Sequence, residues 1–179
     1  MWLSQKMHPL RQNGGVLPAA FLLVVICADY YTKYLAEKFL TTAGDVTFFN
    51  SFLKFTLIQN YGGFLGIVNN FSETSRFFFL NVCVALLLLG CLLYLFGFNK
   101  RTFRHDIPLA FVTGGGAANL LDRLLHNGGV TDFLSMGIGD FRTGIFNFAD
   151  VAILGGSFIL GYTLFSSPSA EKQPPITTP

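Results

Sequence analysis

Four long apolar runs constrain the fold of this chain more than any other feature of its sequence. Each is about twenty residues long, which is the length that an α-helix needs to cross a bilayer. Only 12% of the 179 residues are charged, whereas a soluble domain carries about 25%. The sequence therefore predicts a membrane α-helical fold with four transmembrane helices, at residues 16–35, 77–98, 107–125 and 147–165. We expect one polytopic domain, residues 1–165, followed by a polar, Pro-rich, disordered tail, residues 166–179.

The remaining composition narrows the classes of function. The formal net charge of +2 is too small to indicate nucleic acid as a partner. The three cysteines, Cys27, Cys83 and Cys91, lie inside apolar runs, without a Cys/His spacing suited to zinc. We therefore expect them to be small buried hydrophobic residues and predict no disulfide. The first run follows a basic segment, as in a signal peptide, but its length and the three later runs favour a membrane span.

The first apolar run contains two charged residues near its end. Asp29 and Lys33 are four residues apart and therefore lie on one face of a helix as an acid–base pair. One interpretation is an ion pair at the helix end whose charged groups reach water. The other is a buried pair that holds the scaffold of a site, and the sequence leaves both open.

Residues 39–76 connect the first two runs and contain few charges. β-Forming residues with partial alternation at 52–58 predict short strands. Asn60 then begins a segment with glycines at 62, 63 and 66, where the chain can turn or approach another group closely. Taken alone, this segment indicates a turn.

Basic residues predict the orientation of the four spans. The N-terminal segment and the loop 99–106 both carry Lys and Arg. With four spans these two segments lie on the same side of the membrane, and the positive-inside rule makes that side cytoplasmic. Both termini would then be cytoplasmic, and the loops 39–76 and 126–146 would face outward.

The third apolar run carries polar residues near its end. Asn119, Asp122 and Arg123 are at positions i, i+3 and i+4 and share one helix face. Gly114 and Ala118 form a pair of small residues that allows another helix to approach closely. Asp122 and Arg123 form either an ion pair at the helix end or a group that positions a loop or a substrate.

Two further acidic residues lie before and within the start of the fourth run. Asp132 follows two glycines in a short segment that we expect to be extended, and Asp150 lies three residues after Asn147. Alone, Asp132 is compatible with a loop acid and Asp150 with ordinary chemistry at a helix N-terminus. Two carboxylates that lie close together cannot both ionise cheaply, so one keeps a proton near neutral pH. Such a pair can activate water with one acid and polarise a carbonyl group with the other.

In the predicted topology, polar residues from separate segments fall near one face of the membrane. Ionisable residues at the edge of membrane spans mark candidate functional sites. None of the three histidines stands at a recognisable spacing from a nucleophile, and a metal held by two aspartates alone is not favoured. The converging residues are Asp29, Lys33, Asn60, Asp122, Arg123, Asp132, Asn147 and Asp150.

Five short motifs resemble those of the bacterial lipoprotein signal peptidases (signal peptidase II). Each motif is weak alone, but five in the right order on four spans make a specific resemblance, which covers about residues 16 to 165. The matching segments are Asp29-Tyr-Tyr-Thr-Lys33 with D-Q-x-T-K, Asn60-Tyr-Gly62 with N-x-G, Asn119-Leu-Leu-Asp122-Arg123 with N-x-x-D-R, Val130-Thr-Asp132-Phe133 with V-x-D-F, and Phe146-Asn147-Phe-Ala149-Asp150 with F-N-x-A-D.

The resemblance implies an aspartic endopeptidase embedded in the bacterial cytoplasmic (inner) membrane, with a small extracytoplasmic β-cradle. Its expected partners are membrane lipid and a prolipoprotein with diacylglycerol on its Cys, which it cuts just before that Cys. We expect a monomer without a cofactor or metal. By motif position, Asp132 and Asp150 would be the catalytic pair. The residues that would bind substrate or support the site are Asn60, Gly62, Asn119, Arg123 and Asn147, and those that would hold structure are Asp29, Lys33 and Asp122.

Three departures from the family pattern accompany the motifs and leave both aspartates intact. They are Tyr30 in place of Gln, Gly63-Phe64-Leu65 in place of Ala-Ala-Phe, and Ala118 in place of Gly. Two other functions stay open. A small transporter or proton-relay protein would also use intramembrane acids, although the internal repeats typical of transporters are not evident. A peptidase-like paralogue would bind lipidated clients without cutting them.

Overall fold

Five helices and four strands make up the part of the chain that the structure describes. The structure is a computed structural model, and it describes residues 15–63, 71–97 and 103–166. The helices are α1 (Val16–Ala43), α2 (Glu73–Phe77), α3 (Val84–Gly97), α4 (Phe103–Leu125) and α5 (Phe148–Phe165). The strands are β1 (Val46–Phe48), β2 (Leu53–Asn60), β3 (Val130–Ile138) and β4 (Phe141–Arg142). The basic N-terminal segment, Phe64 and Leu65, the first half of the loop 99–106, and residues 167–179 of the tail lie outside the described residues.

Within the described residues all four apolar runs are helical, but three of the helices extend beyond their predicted ends. α4 begins at Phe103 rather than at residue 107. α1 continues to Ala43 because Ala36 and Leu40, near its end, pack against Phe133 of β3. The second helical run begins at α2 rather than at residue 77, since Ser72 caps it by accepting a hydrogen bond from the Ser75 amide at 3.2 Å. A π-helical segment, Phe78–Cys83, then joins α2 to α3.

Three helical runs within the described residues are long and apolar enough to cross a membrane: Val16–Ala43, Glu73–Gly97 and Phe148–Phe165. α4, at the third predicted span, is a 23-residue helix but is not among these three. It packs against α1, α3 and α5, and it buries polar side chains that include Asn119 and Arg123. Its polar content follows from this position, because much of its surface faces other helices rather than lipid.

Three consecutive glycines allow α4 to lie between the other helices. A methyl group added to Gly114 would lie 2.9 Å from a carbonyl oxygen of α1. One added to Gly115 would lie 2.5 Å from the Ala149 carbonyl oxygen of α5, and one on Gly116 2.8 Å from a methyl group of Leu88 in α3. These separations are too short for a real side chain, so small residues set the helix spacing. The predicted close approach of another helix at Gly114 is present, and Gly115 and Gly116 allow α5 and α3 to approach α4 in the same way.

The four strands form one antiparallel sheet in the order β1–β2–β3–β4. β2 and β3 contain eight and nine residues, so both are longer than the extended segments that the sequence predicts. Successive side chains of a strand point to opposite faces of a sheet. Phe133 packs against α1 with Ala36 and Leu40, and Asp132 therefore projects from the opposite face.

The prediction that all three cysteines are buried is wrong. Cys27 is exposed on α1, and Cys83 and Cys91 are partly exposed. All three are free thiols. All three lie in apolar helices, where a thiol behaves as a small apolar group.

Candidate active site

A cavity of about 690 Å³ lies between the open face of the sheet, α4 and the start of α5. Its walls are largely apolar, with side chains such as Ile58, Met136 and Leu154. Five of the predicted site residues contribute to the same lining: Asn60, Asn119, Arg123, Asp132 and Asp150. The structure thus brings together both predicted catalytic residues and three of the five predicted support residues in one cavity.

Asp132 is the most deeply buried acid of this lining, with 1% of its surface exposed. One carboxylate oxygen accepts a hydrogen bond from Asn60 Nδ2 at 2.8 Å, and the other accepts one from Asn147 Nδ2 at 2.7 Å. Burial raises the pKa of Asp132 from 3.8 to about 6, and the negative charge of Asp150 acts in the same direction. The two amide donors oppose this rise because they stabilise the ionised form.

Asp150 and Asn147 form a capping box at the start of α5. Asn147 Oδ1 accepts a hydrogen bond from the Asp150 amide at 2.9 Å, and Asp150 Oδ2 accepts one from the Asn147 amide at 3.2 Å. Asn147 also donates to Asp132, so one residue contacts both acids. The capping interaction that the sequence indicates at this helix N-terminus is therefore present. It also holds the Asp150 side chain at the cavity.

Asn119 links Lys33 to Asp150. Lys33 Nζ donates to Asn119 Oδ1 at 3.2 Å, and Asn119 Nδ2 donates to Asp150 Oδ1 at 2.9 Å. An ammonium group has no acceptor, so Asn119 turns its oxygen toward Lys33 and its NH₂ group toward Asp150. Asn147 Nδ2 donates to the same Asn119 oxygen at 3.0 Å. Hydrogen-bond donors are therefore aimed at both aspartates by a connected network.

Lys33 and Asp29 form a buried ion pair, so the structure selects the second of the two interpretations. Their charged atoms are 2.6 Å apart, and Lys33 Nζ also lies 3.0 Å from Asp122 Oδ2. Asp29 Oδ1 accepts a hydrogen bond from the Ala149 amide of α5 at 2.8 Å. Because a buried charge without partners is costly, this cluster holds α1, α4 and the start of α5 in a fixed arrangement.

Arg123 does not form the helix-end ion pair with Asp122 that the sequence leaves open. Asp122 instead contacts Lys33 and His126 Nδ1, the latter at 3.1 Å. Within the described residues, Arg123 takes part in no salt bridge, and its buried Nε has no hydrogen-bond partner. It also lines the cavity, where a guanidinium group can donate hydrogen bonds to a bound molecule.

Gly62 does not line the cavity, although its amide donates to Asn60 Oδ1 at 3.0 Å. This hydrogen bond leaves the Asn60 NH₂ group directed at Asp132. Gly63 lines the cavity with a φ of 69°, a conformation that favours glycine. Of the other departures from the family pattern, Tyr30 is 70% exposed and Ala118 is buried, and neither lines the cavity.

Two residues of the site region have no signal in the sequence. Thr131 is fully buried behind Asp132, and it occupies the variable position of the V-x-D-F segment. Arg142 joins the two hairpins, because its guanidinium donates to the carbonyl oxygens of Ser51 at 2.7 Å and Gly137 at 3.3 Å. No periodic pattern or motif marks either residue. Within the described part of the chain, no group of three or more His, Cys, Asp or Glu side chains is arranged to hold a metal ion.

The chain is similar in sequence to known proteins over most of its length. The chain is similar to lipoprotein signal peptidases of Caldanaerobacter subterraneus subsp. tengcongensis, 32% identical over 78% of this chain and 90% of the relative, and of Brevibacillus brevis, 33% identical over 79% and 90%. The lipoprotein signal peptidase of Francisella tularensis subsp. novicida is 36% identical over 77% of this chain and 84% of the relative. These relatives do not favour the transporter alternative.

Two solved structures of bacterial membrane enzymes, both determined by the in meso method, share the fold. One has a TM-score of 0.73, 21% identity, and coverage of 90% of this chain and 94% of its own. The other has a TM-score of 0.68, 23% identity, and coverage of 84% and 94%. The family model described as signal peptidase (SPase) II matches residues 21–166, which is most of the sequence. The chain therefore belongs to the signal peptidase II family.

Proposed function

We propose that this protein is an aspartic endopeptidase that removes the signal peptide from diacylglyceryl-modified prolipoproteins, cutting just before the lipidated Cys. The observation that carries the proposal is that Asp132 and Asp150 line one cavity and share Asn147 as a hydrogen-bond partner. The relatives named lipoprotein signal peptidases support the choice of substrate.

One of the two aspartates acts as a general base and the other as a general acid in peptide hydrolysis. Burial and the nearby Asp150 charge raise the pKa of Asp132 to about 6, which brings the protonated form of this acid close to neutral pH, where it can serve as a proton donor. The ionised member takes a proton from water, whose oxygen attacks the scissile carbonyl carbon, while the protonated member donates to the carbonyl oxygen. When the C–N bond breaks, the proton taken from water passes to the leaving amine, and the proton on the former carbonyl oxygen returns to the acid that donated it.

The cavity suits a peptide that carries lipid. Its apolar walls offer surface for acyl chains next to the acids. Arg123 contributes a guanidinium whose buried Nε has no partner within the described residues, and it is placed to donate to a carbonyl oxygen of the substrate. The amides of Asn60, Asn119 and Asn147 hold the two aspartates rather than the substrate, since their NH₂ groups are directed at the acids or at each other.

Asp→Asn substitutions test the proposal because they keep size and polarity but remove the ionisable proton. We expect Asp132→Asn and Asp150→Asn each to lower turnover of a diacylglyceryl-modified prolipoprotein by on the order of 10⁴-fold. The double variant should be little worse than either single variant, since the two acids act as one unit. Cleavage is followed by mass spectrometry with purified protein in detergent.

Asp140→Asn is the matched control, because Asp140 is an exposed acid in the turn between β3 and β4 and does not line the cavity. It should cleave like the unsubstituted chain. Substrate binding should survive in all variants, since apolar surface holds the acyl chains. Near-normal cleavage by Asp132→Asn or Asp150→Asn would remove that residue from the catalytic pair. Binding without cleavage by the unsubstituted chain would favour the non-cleaving paralogue.

A further inference from the structure

We infer that Thr131 is a positioning residue for Asp132 and acts from the face of the sheet opposite the cavity. The inference rests on the proposed peptidase function. It states that turnover depends on Thr131 although this residue does not contact the substrate. Thr131 has 0% of its surface exposed and is not part of the cavity lining. It directly precedes Asp132, and in the register of β2 and β3 it lies opposite Gln59.

Every polar atom of Thr131 has a partner, and the partners come from four different elements. Its amide donates to Asp122 Oδ2 of α4 at 2.8 Å, and its carbonyl oxygen accepts from Asn147 Nδ2 at the cap of α5 at 3.4 Å. Its hydroxyl accepts from Gln59 Nε2 of β2 at 2.9 Å and donates to Glu37 Oε1 of α1 at 3.3 Å. The residue next to Asp132 is thus fixed from α1, β2, α4 and α5 at once.

The Thr131 hydroxyl is coupled to the Asp132 carboxylate by two routes. The first is the chain itself, since a shift of Thr131 moves the Cα atom of Asp132. The second runs across the sheet, because the hydroxyl binds Gln59 and the next residue, Asn60, donates to Asp132 Oδ2 at 2.8 Å. A small slide of β2 against β3 would therefore change both the position of the acid and the direction of its donor. Displacements of about 1 Å near reacting atoms can lower rates by on the order of 10²-fold.

The side-chain and backbone contacts of Thr131 can be separated by substitution. Valine has the shape of threonine without the hydroxyl, so Thr131→Val keeps the two backbone hydrogen bonds and removes the two that reach Glu37 and Gln59. Glu37 is partly exposed and Gln59 is exposed, so water can replace the lost partner, and the loss of stability should be small. We therefore expect turnover to change more than folding does.

The experiment measures kcat, KM and melting temperature for four single variants and one double variant in detergent with a diacylglyceryl-modified prolipoprotein. We expect Thr131→Val to lower kcat about tenfold while KM stays within about twofold, and Thr131→Ser to restore kcat to within about twofold of the unsubstituted chain. Thr56→Val is the matched control. It removes a hydroxyl from neighbouring strand β2 that bonds the exposed Asp45 and does not line the cavity. Its kcat should not change.

Glu37→Leu tests the same link from α1. Because it removes the acceptor of the Thr131 hydroxyl, it should lower kcat in the same direction, and combining it with Thr131→Val should add little. If Thr131→Val does not fold, Glu37→Leu and Thr131→Ser carry the test, since the first lies on a partly exposed position and the second keeps the hydroxyl.

Several results would overturn the inference. One is an unchanged kcat in Thr131→Val, or in Glu37→Leu when Thr131→Val does not fold. Another is an equal loss of kcat in Thr131→Val and Thr131→Ser, because the hydroxyl would then not matter. An equal loss of kcat in Thr56→Val would show that the effect comes from general weakening of the sheet. These results leave the proposed function intact as long as the unsubstituted chain cleaves and Asp132→Asn does not. A chain that fails to cleave overturns both proposals.

Discussion

At the scale of single residues, Asp132 makes the stability of the protein depend on pH. Its pKa is raised from 3.8 to about 6, mainly by burial. A carboxyl group with a raised folded-state pKa binds its proton more tightly in the folded chain than in the unfolded chain. The cost of ionising it is therefore absent below about pH 4, grows until about pH 6 and is constant above, where it reaches about 3 kcal/mol.

Asp132→Asn removes this cost, so its effect on stability should change with pH. We expect the variant to gain melting temperature relative to the unsubstituted chain as pH rises from about 4 to about 7. The pH-independent effect of exchanging a carboxylate for an amide, about 1 kcal/mol for an altered hydrogen bond, cancels when the two pH values are compared. Thermal unfolding in detergent measures the difference, with Asp140→Asn as the exposed control. A difference that stays constant with pH would show that Asp132 ionises as it does in water.

The sequence predicts which polar residues lie close together better than it predicts their hydrogen-bond and ion-pair partners. Asp132 and Asp150 stand in motifs, and their placement in one cavity follows the prediction. The partner of Asp122 cannot be predicted in the same way. The adjacent Arg123 suggests an ion pair with Asp122, whereas in the folded chain α1 brings Lys33 to 3.0 Å from Asp122. Thr131 gives no signal, because its role depends on four elements that meet only in the folded chain.

At the scale of elements, small residues set the distance between α4 and α5. A methyl group on Gly156 would lie 2.7 Å from the Pro108 carbonyl oxygen of α4, whereas one on Gly155 would meet no atom within 4 Å. Gly156→Ala therefore forces the two helices apart and should lower stability by about 1–3 kcal/mol. Gly155→Ala adds the same methyl group to open space and should be neutral or stabilising by about 0.5–1 kcal/mol, since alanine favours a helix.

Melting temperatures of the two alanine variants in detergent provide the measurement. The two positions are adjacent in one helix, so the difference in helix propensity is small. Gly155 is exposed whereas Gly156 is buried against α4, and this contact is what separates the two variants. Equal melting temperatures would mean that α5 can move away from Pro108 without cost. The close packing of α4 against α5 would then not contribute to stability.

The apolar pattern of the sequence does not predict where the helices and strands end. α1 runs to Ala43, beyond the apolar run that ends at residue 35, because contacts with Phe133 of the sheet extend it. β3 continues to Ile138 through pairing with β2 and β4. Both extensions depend on partners that are distant in sequence. The four helical runs themselves follow from length and apolarity alone, which are local properties.

At the scale of the whole molecule, α4 is the element around which the other helices assemble. It contacts α1, α3 and α5, carries Asn119, Asp122 and Arg123, and is less apolar than the three runs that can cross a membrane by composition. Enclosure by protein explains how it combines a central position with polar side chains. The polar network and the cavity lie at the end of α4 that is followed by β3, so the sheet and both acids share one end of the bundle.

The last prediction concerns the side of the membrane on which this end lies. The basic residues of the N-terminal segment and of the loop 99–106 favour a cytoplasmic location for those segments. The sheet, Asp132 and Asp150 would then lie at the opposite, extracytoplasmic face. We expect reporter fusions after Gly44 and after Gly139 to be extracytoplasmic and a fusion after residue 100 to be cytoplasmic. Gly44 directly follows α1, and Gly139 lies in the turn between β3 and β4, so neither fusion interrupts a helix or strand.

Adding three Lys residues after Gly139 is the control for charge, because a topology set by the whole bundle should resist it. A cytoplasmic signal at Gly139 would place both acids on the side away from the expected cleavage site, and the proposed substrate would have to be abandoned even if the pair hydrolyses peptides.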